Sequence, residues 1–184
     1  MKGTIMESIV QAKRVLEIFK EMSQIPRESG NEKGISDYIV NFAKNLGLEV
    51  HQDDQYNVVI KKPASPGYEN RPSIILQGHI DMVCVRDHDS NHDFTKDPIA
   101  NIIEGEWMHA DHTTLGADNG MGGAMMLAIL EDDSQQHGPM QLLFTTNEET
   151  GMDGAFAIKE GQVSGDYLLN LDTEVEHDFT VSCA

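Results

Sequence analysis

Apolar residues at Ile9, Ala12, Val15, Leu16, Phe19 and Met22 recur at helical spacing, so the chain opens with a predicted amphipathic helix. Pro26 ends it and Gly30 begins a turn. Ile35, Ile39, Phe42 and Leu46 share one face of a second predicted helix, with Gly47 as its stop. Residues 48–51 and 57–61 read as short strands, and 62–72, with three prolines, as a loop. The stretch 73–85, SIILQGHIDMVCV, starts as a continuous apolar run, the pattern of a strand buried on both faces. Residues 86–96 are polar, acidic and rich in His, a surface loop. Residues 99–103 and 107–110 form a predicted hairpin about Glu104-Gly105-Glu106. A helix is expected over 118–130, with glycines crowding its first turns. Then come a buried strand over 141–145, a short helix after Gly151 and a third buried strand over 167–171.

Helices thus alternate with buried strands, which predicts an α/β layered fold with a largely parallel sheet. A length of 184 residues suits one domain. Residues 178–184, DFTVSCA, read as the start of a further strand with no element after it, so the expectation is either a product that stops mid-architecture or part of a longer protein.

Composition narrows the function classes. Thirteen basic residues face 31 acidic ones, a formal net charge of -18, which disfavours nucleic acid and anionic membranes and tolerates cations. No apolar run approaches the roughly 20 residues that span a bilayer. The mixed charges of the N-terminal segment do not read as a signal peptide. The two cysteines, Cys84 and Cys183, form no CxxC pair, so a reducing, cytoplasmic setting is expected.

Four polar clusters sit at the ends of predicted buried strands, and in open α/β sheets sites form outside the carboxyl ends of strands. The first is Gly78-His79-Ile80-Asp81. Residues two apart on an extended segment point the same way, so His79 could ligate a metal while Asp81 fixes a ligand's tautomer. A satisfied histidine beside a turn aspartate is the plainer reading. In LGADNG, Asp118 lies in a Gly-rich turn opening a helix, either as a bridging ligand or as a helix N-cap. In TTNEETG, Glu149 can bind a metal while Glu148 faces an attacking water as general base. In NLDTE, Asp172 is the natural ligand, with Glu174 a substitute. Imidazole and carboxylate donors without a thiolate suit zinc, manganese or cobalt. A two-metal site, its ions about 3.5 Å apart, would clamp a water and polarise a carbonyl.

In this order and at these separations, GHIDMV, LGADNG, TTNEETG and NLDTE resemble the dizinc peptidase family that includes carnosinase-like dipeptidases and succinyl-diaminopimelate desuccinylases. Within it, HDFTKDPI and TTLGADNGMGGA resemble the bacterial aminoacyl-histidine (Xaa-His) dipeptidases, along essentially the whole chain. The resemblance implies a three-layer α/β catalytic domain with a mixed, largely parallel sheet, incomplete at its C-terminus. It implies two zinc ions, with cobalt or manganese as substitutes: His79 and Asp172 on one, Glu149 on the other, Asp118 between them. It makes Glu148 the general base for a metal-bridged water and Asp81 the group that orients the first site. The implied substrates are dipeptides, with a tripeptidase or N-acyl-amino-acid deacylase as the alternative. Family members are often homodimers. They carry a lid and dimerisation domain and a last histidine ligand in sequence after the position matching Ala184. Residues 1–184 are therefore expected to be the N-terminal part of the catalytic domain, one histidine short at the second metal and weakly active or inactive alone. A truncated fragment that binds metal or pairs with a full-length subunit is the non-catalytic alternative.

Other clusters read more plainly. His88 and His92 among Asp87, Asp89 and Asp93 form a solvated acidic loop. His109, Asp111 and His112 read as a strand end and turn, because no third ligand motif accompanies them. His51, His137 and His177 are expected at the surface, Cys84 as an inert core thiol, and Met121, Met125 and Met126 as core filling. No G-x-S-x-G elbow is present, which disfavours a serine hydrolase.

Overall fold

The computed structural model describes residues 2–173, 180 and 181, with side chains described from residue 12 onward. The expected strand at 178–184, together with Glu174, His177 and Cys183, lies outside the described residues.

Two helices, α1 (Lys2–Met22) and α2 (Lys33–Asn45), precede β1 (Glu49–Gln52), β2 (Val58–Lys62) and β3 (Ile74–His79). A hairpin of β4 (Asn101–Glu104) and β5 (Trp107–Ala110) follows, turning at Gly105, whose φ is 63°. Next come α3 (Ala117–Glu131), β6 (Met140–Thr145), the short α4 (Asp153–Ala157) and β7 (Tyr167–Asn170). The main sheet has the order β1-β2-β6-β3-β7. β1–β2 and β2–β6 are antiparallel, and β3–β6 and β3–β7 are parallel. The fold is thus mixed α/β, and its parallel half carries the polar clusters.

Strand alternation divides the apolar residues between two faces. Val58, Ile60, Leu76, Leu142 and Phe144 point to one face and pack against Ile18, Phe19, Met22, Ile35, Ile39, Met126, Leu127 and Leu130 of the helices. Val59, Ile75 and Leu143 point to the other, where Ile158 and Val163 cover them. None of the described helices is long and apolar enough to cross a membrane.

Three expectations need correction. The buried face of α1 runs through Ile18, Phe19 and Met22, while Leu16 is 39% exposed, because α1 packs on α3 and Leu16 lies off that contact. Among the described residues β7 is an exposed edge strand: Tyr167, Leu168 and Leu169 are 62%, 54% and 49% exposed, since within that set β7 pairs only with β3. Met126 fills the core, but Met125 on the same helix is 39% exposed.

Lys62 is a cation inside this fold, only 6% exposed. Its Nζ donates to the carbonyls of Ile129, Leu130 and Asp132 at 3.2, 2.9 and 2.9 Å, capping the C-terminal end of α3. Lys62→Met would leave those carbonyls without their donor. The variant is expected to lose about 1–3 kcal/mol in urea denaturation, and an unchanged midpoint would refute the capping role.

Candidate metal centre

Parallel strands end on the same edge of a sheet, so the register of β3 with β6, which sets His79 beside Thr145, brings two of the clusters together. The segment after β7 arrives at the same edge, where the Leu171 amide donates to the Gln77 carbonyl at 2.8 Å. α3 begins there as well. Gly116 stands in the left-handed region at φ 70°, and Asp118 and Asn119 depart from helical geometry within the first turn, joined by a cis peptide bond. Asp118 does not act as a cap; its carboxylate instead turns to His79.

His79 is the hub. Its side chain is 2% exposed. Nδ1 faces Asp81 Oδ1 at 3.2 Å, and Nε2 faces Asp118 Oδ1 at 3.1 Å, Asp172 Oδ1 at 3.7 Å and Glu148 Oε2 at 4.0 Å. Burial works against the charged ring, but the neighbouring carboxylates, Asp81 foremost, outweigh it and raise the pKa to about 9. In Asp81 the balance runs the other way. Burial penalises the charge, yet hydrogen bonds from His79, the Ser29 hydroxyl and the amides of Glu148 and Glu149 hold its pKa at about 2. The Ser29 bond is 2.7 Å, and the two amides donate at 3.1 and 3.2 Å. Asp81 therefore holds both His79 and the backbone of the Glu148-Glu149 turn.

That turn depends on Asn147, a non-glycine residue at φ 54°. Its amide donates to Glu32 Oε1 at 3.0 Å. The preceding Thr146 donates its amide to Asn57 Oδ1 at 3.1 Å and its hydroxyl to the Gln55 carbonyl at 2.9 Å. Ser29, Glu32 and Asn57 were not singled out in the sequence. Their polar side chains sit in turns, where a hydrogen bond to a distant strand end leaves no periodic trace.

Two groups of side chains can each gather ligand atoms within 4.8 Å: His79 with Asp118 and Asp172, and His79 with Glu148 and Glu149. Two ligands on one zinc, with bonds near 2.1 Å at tetrahedral angles, stand about 3.4 Å apart. The 3.1 and 3.7 Å separations from His79 Nε2 bracket that value. The carboxylates are also crowded. Glu149 and Asp172 are both pushed above the usual carboxylate range, by burial first and by Asp118 and Glu148 among the other causes, with His79 opposing. A cation would relieve that repulsion, and with Nδ1–H donating to Asp81, Nε2 is free to accept it. The residues present therefore fit an ion held by imidazole and carboxylates.

Without metal, the raised His79 pKa has a signed consequence. Unfolded histidine titrates near 6.5, so the stabilisation is present in full below that pH and is lost as pH rises through about 9. In chelator, urea denaturation is expected to show stability falling across this window by up to about 1.4 kcal/mol per pH unit. A flat profile would contradict the charged-hub geometry.

The other candidate clusters do not converge in this way. His112 Nδ1 meets Asp87 Oδ2 at 2.7 Å and, with His109 and Asp111, lines a shallow surface cavity. Among the described residues, no three ligand atoms converge there. His88 is fully exposed beside Asp89. Cys84 is half-buried rather than core, and burial raises its thiol to about 11.

A profile of the family described as Peptidase family M20/M25/M40 matches residues 75–181, a span that holds all six clustered residues. The cytosol non-specific dipeptidase of Escherichia coli is 46% identical over 168 residues, covering 91% of this chain and 35% of that protein. The crystal structure of aminoacylhistidine dipeptidase from Vibrio alginolyticus superposes with a TM-score of 0.86 at 47% identity, over 89% of this chain and 33% of that one. A tripeptidase from Staphylococcus aureus superposes at 0.74 with 26% identity, over 89% of this chain and 44% of that one. The chain spans about a third of the length of the first two relatives.

Proposed function

This chain belongs to peptidase family M20/M25/M40, and we propose that it supplies most of a two-zinc site that hydrolyses dipeptides, with Xaa-His dipeptides as the preferred class. One observation carries the reading: Nε2 of the buried His79 faces the Asp118 and Asp172 carboxylates at ligand spacing while Asp81 holds Nδ1. The likeness to a dipeptidase and an aminoacylhistidine dipeptidase near 46–47% identity, against 26% for a tripeptidase, supports the substrate class. The name of the first relative supports a cytosolic setting.

His79, Asp118 and Asp172 would hold one zinc, and Glu149 the other, with Asp118 shared. When bound, the metal would acidify a water toward neutral pH and polarise the peptide carbonyl. Glu148 takes the proton from the attacking water and delivers it to the leaving amine. Its backbone amide, anchored on Asp81, fixes the height of the carboxylate above His79. Asp81 keeps the His79 tautomer with Nε2 unprotonated once a metal is present. A further histidine ligand and a lid would come from outside these residues, whose relatives are about three times as long.

Zinc-supplemented hydrolysis of a panel of Xaa-His dipeptides, other dipeptides, tripeptides and N-acyl amino acids tests this. The chain is assayed alone and mixed with the complementary part of the Vibrio alginolyticus enzyme. Xaa-His cleavage that appears or rises on mixing and vanishes in chelator is expected. Preferred cleavage of tripeptides or acyl amino acids, or activity indifferent to chelator, would overturn the proposal.

A further inference from the structure

We propose that Arg27 is a positioning residue of the metal centre, locking the segment that carries Asp118 against the strand end that carries His79 and Asp81. The inference rests on the metal reading above. Arg27 lies in the turn between α1 and α2 and is 2% exposed. Its Nη1 donates to the carbonyls of Ile80 and Asp81 at 3.1 and 3.0 Å, and its Nη2 donates to the carbonyl of Gly116. Its own carbonyl accepts from the Met82 amide at 3.1 Å. One side of the residue thus grips the three positions after His79. The other side reaches the residue two before Asp118.

Buried charges are normally paired with an acid. These hydrogen bonds of Arg27 end on backbone carbonyls, so its donors join two chain segments. Burial pulls the guanidinium down to about 10, with Asp81 and Asp118 among the opposing influences. The glycines of LGADNG fit around this group. A Cβ on Gly116 would stand 2.5 Å from Arg27 Nη2 and 2.7 Å from Met82 Sδ. One on Gly120 would stand 2.5 Å from the same nitrogen and 2.9 Å from the Phe19 ring. Both glycines leave the space that the guanidinium fills. The planar fork of arginine fixes the directions of its donors, which a lysine ammonium does not.

Charge and placement predict opposite outcomes, which makes the role testable. If Arg27 acted only through its charge, removing a cation near Asp81 and Asp118 would tighten zinc binding. If it sets spacing, its removal weakens binding, as loss of a group that orients ligands does, by about 10–100-fold. Zinc affinity is measured by calorimetric titration for the unaltered chain, Arg27→Met, Arg27→Lys and Lys62→Met. The last removes a similarly buried cation that also holds backbone carbonyls, at the far end of α3. Arg27→Met is expected to keep its circular dichroism and lose affinity by about 10–100-fold. Lys62→Met should lose stability yet stay within about twofold in affinity, as a distant site does. Arg27→Lys, which keeps the charge without the fork, should also weaken binding, and it carries the test if the methionine variant fails to fold. Unchanged or tighter binding in a folded Arg27 variant overturns the inference, as does an equal loss in Lys62→Met. If the unaltered chain binds no zinc, the metal reading itself falls, and the inference with it.

Discussion

The Asp118→Ala chain is expected to bind zinc more than about 100-fold more weakly than the unaltered chain, beyond the range seen when only a supporting group is lost. Asp118 offers the carboxylate oxygen nearest His79 Nε2, at 3.1 Å, and belongs to the group with Asp172. Without it, His79 and Asp172 remain as two donors 3.7 Å apart, too few to hold zinc tightly. The change should cost the fold little. The Asp118 side chain is 58% exposed, and its charge is among the causes that push Glu149 and Asp172 upward. Removing it relieves repulsion among metal-free carboxylates but also removes a partner of the charged His79 ring, so the urea midpoint in chelator is expected to change little. An affinity loss under about tenfold would refute the role of Asp118.

Glu148→Gln is expected to separate binding from chemistry. The amide keeps the size of the side chain but cannot take a proton, so turnover should fall by about 10²–10⁴. Glu148 Oε2 stands 4.0 Å from His79 Nε2, farther than Asp118 or Asp172, and its side chain is 33% exposed, open to a water and a substrate. As a base rather than a ligand, its loss should leave zinc affinity nearly unchanged. Steady-state kinetics and zinc titration on one preparation, with the complementary part added, read both effects. A large drop in affinity would reassign Glu148 to the ligand group it forms with His79 and Glu149.

Much of this arrangement was legible in the residues themselves. The apolar runs before His79, Glu148 and Asp172 marked strands ending at one edge, and the structure brings those ends together through the β3–β6 and β3–β7 pairings. The hairpin at Gly105 and the short helix after Gly151 also follow local signals. What escaped depends on contacts between distant positions. Arg27 touches residues 53 to 89 positions away, and nothing in PRESGNE marks its guanidinium as the group that fills the space left by Gly116 and Gly120. Ser29 and Glu32 carry no signal in the sequence, yet one holds the Asp81 carboxylate and the other the Asn147 amide. Exposure was the other blind spot. Tyr167–Asn170 has the composition of a buried strand, but burial depends on what packs against it, which composition does not record.

Anomalous diffraction at the zinc edge, from crystals of this chain grown metal-free and then soaked in zinc, tests the central claim most directly. The expected peak lies among His79 Nε2, Asp118 and Asp172, with any second peak toward Glu149. Density confined to the His109, Asp111 and His112 cavity, or absent around His79 in a fully soaked crystal, would contradict it.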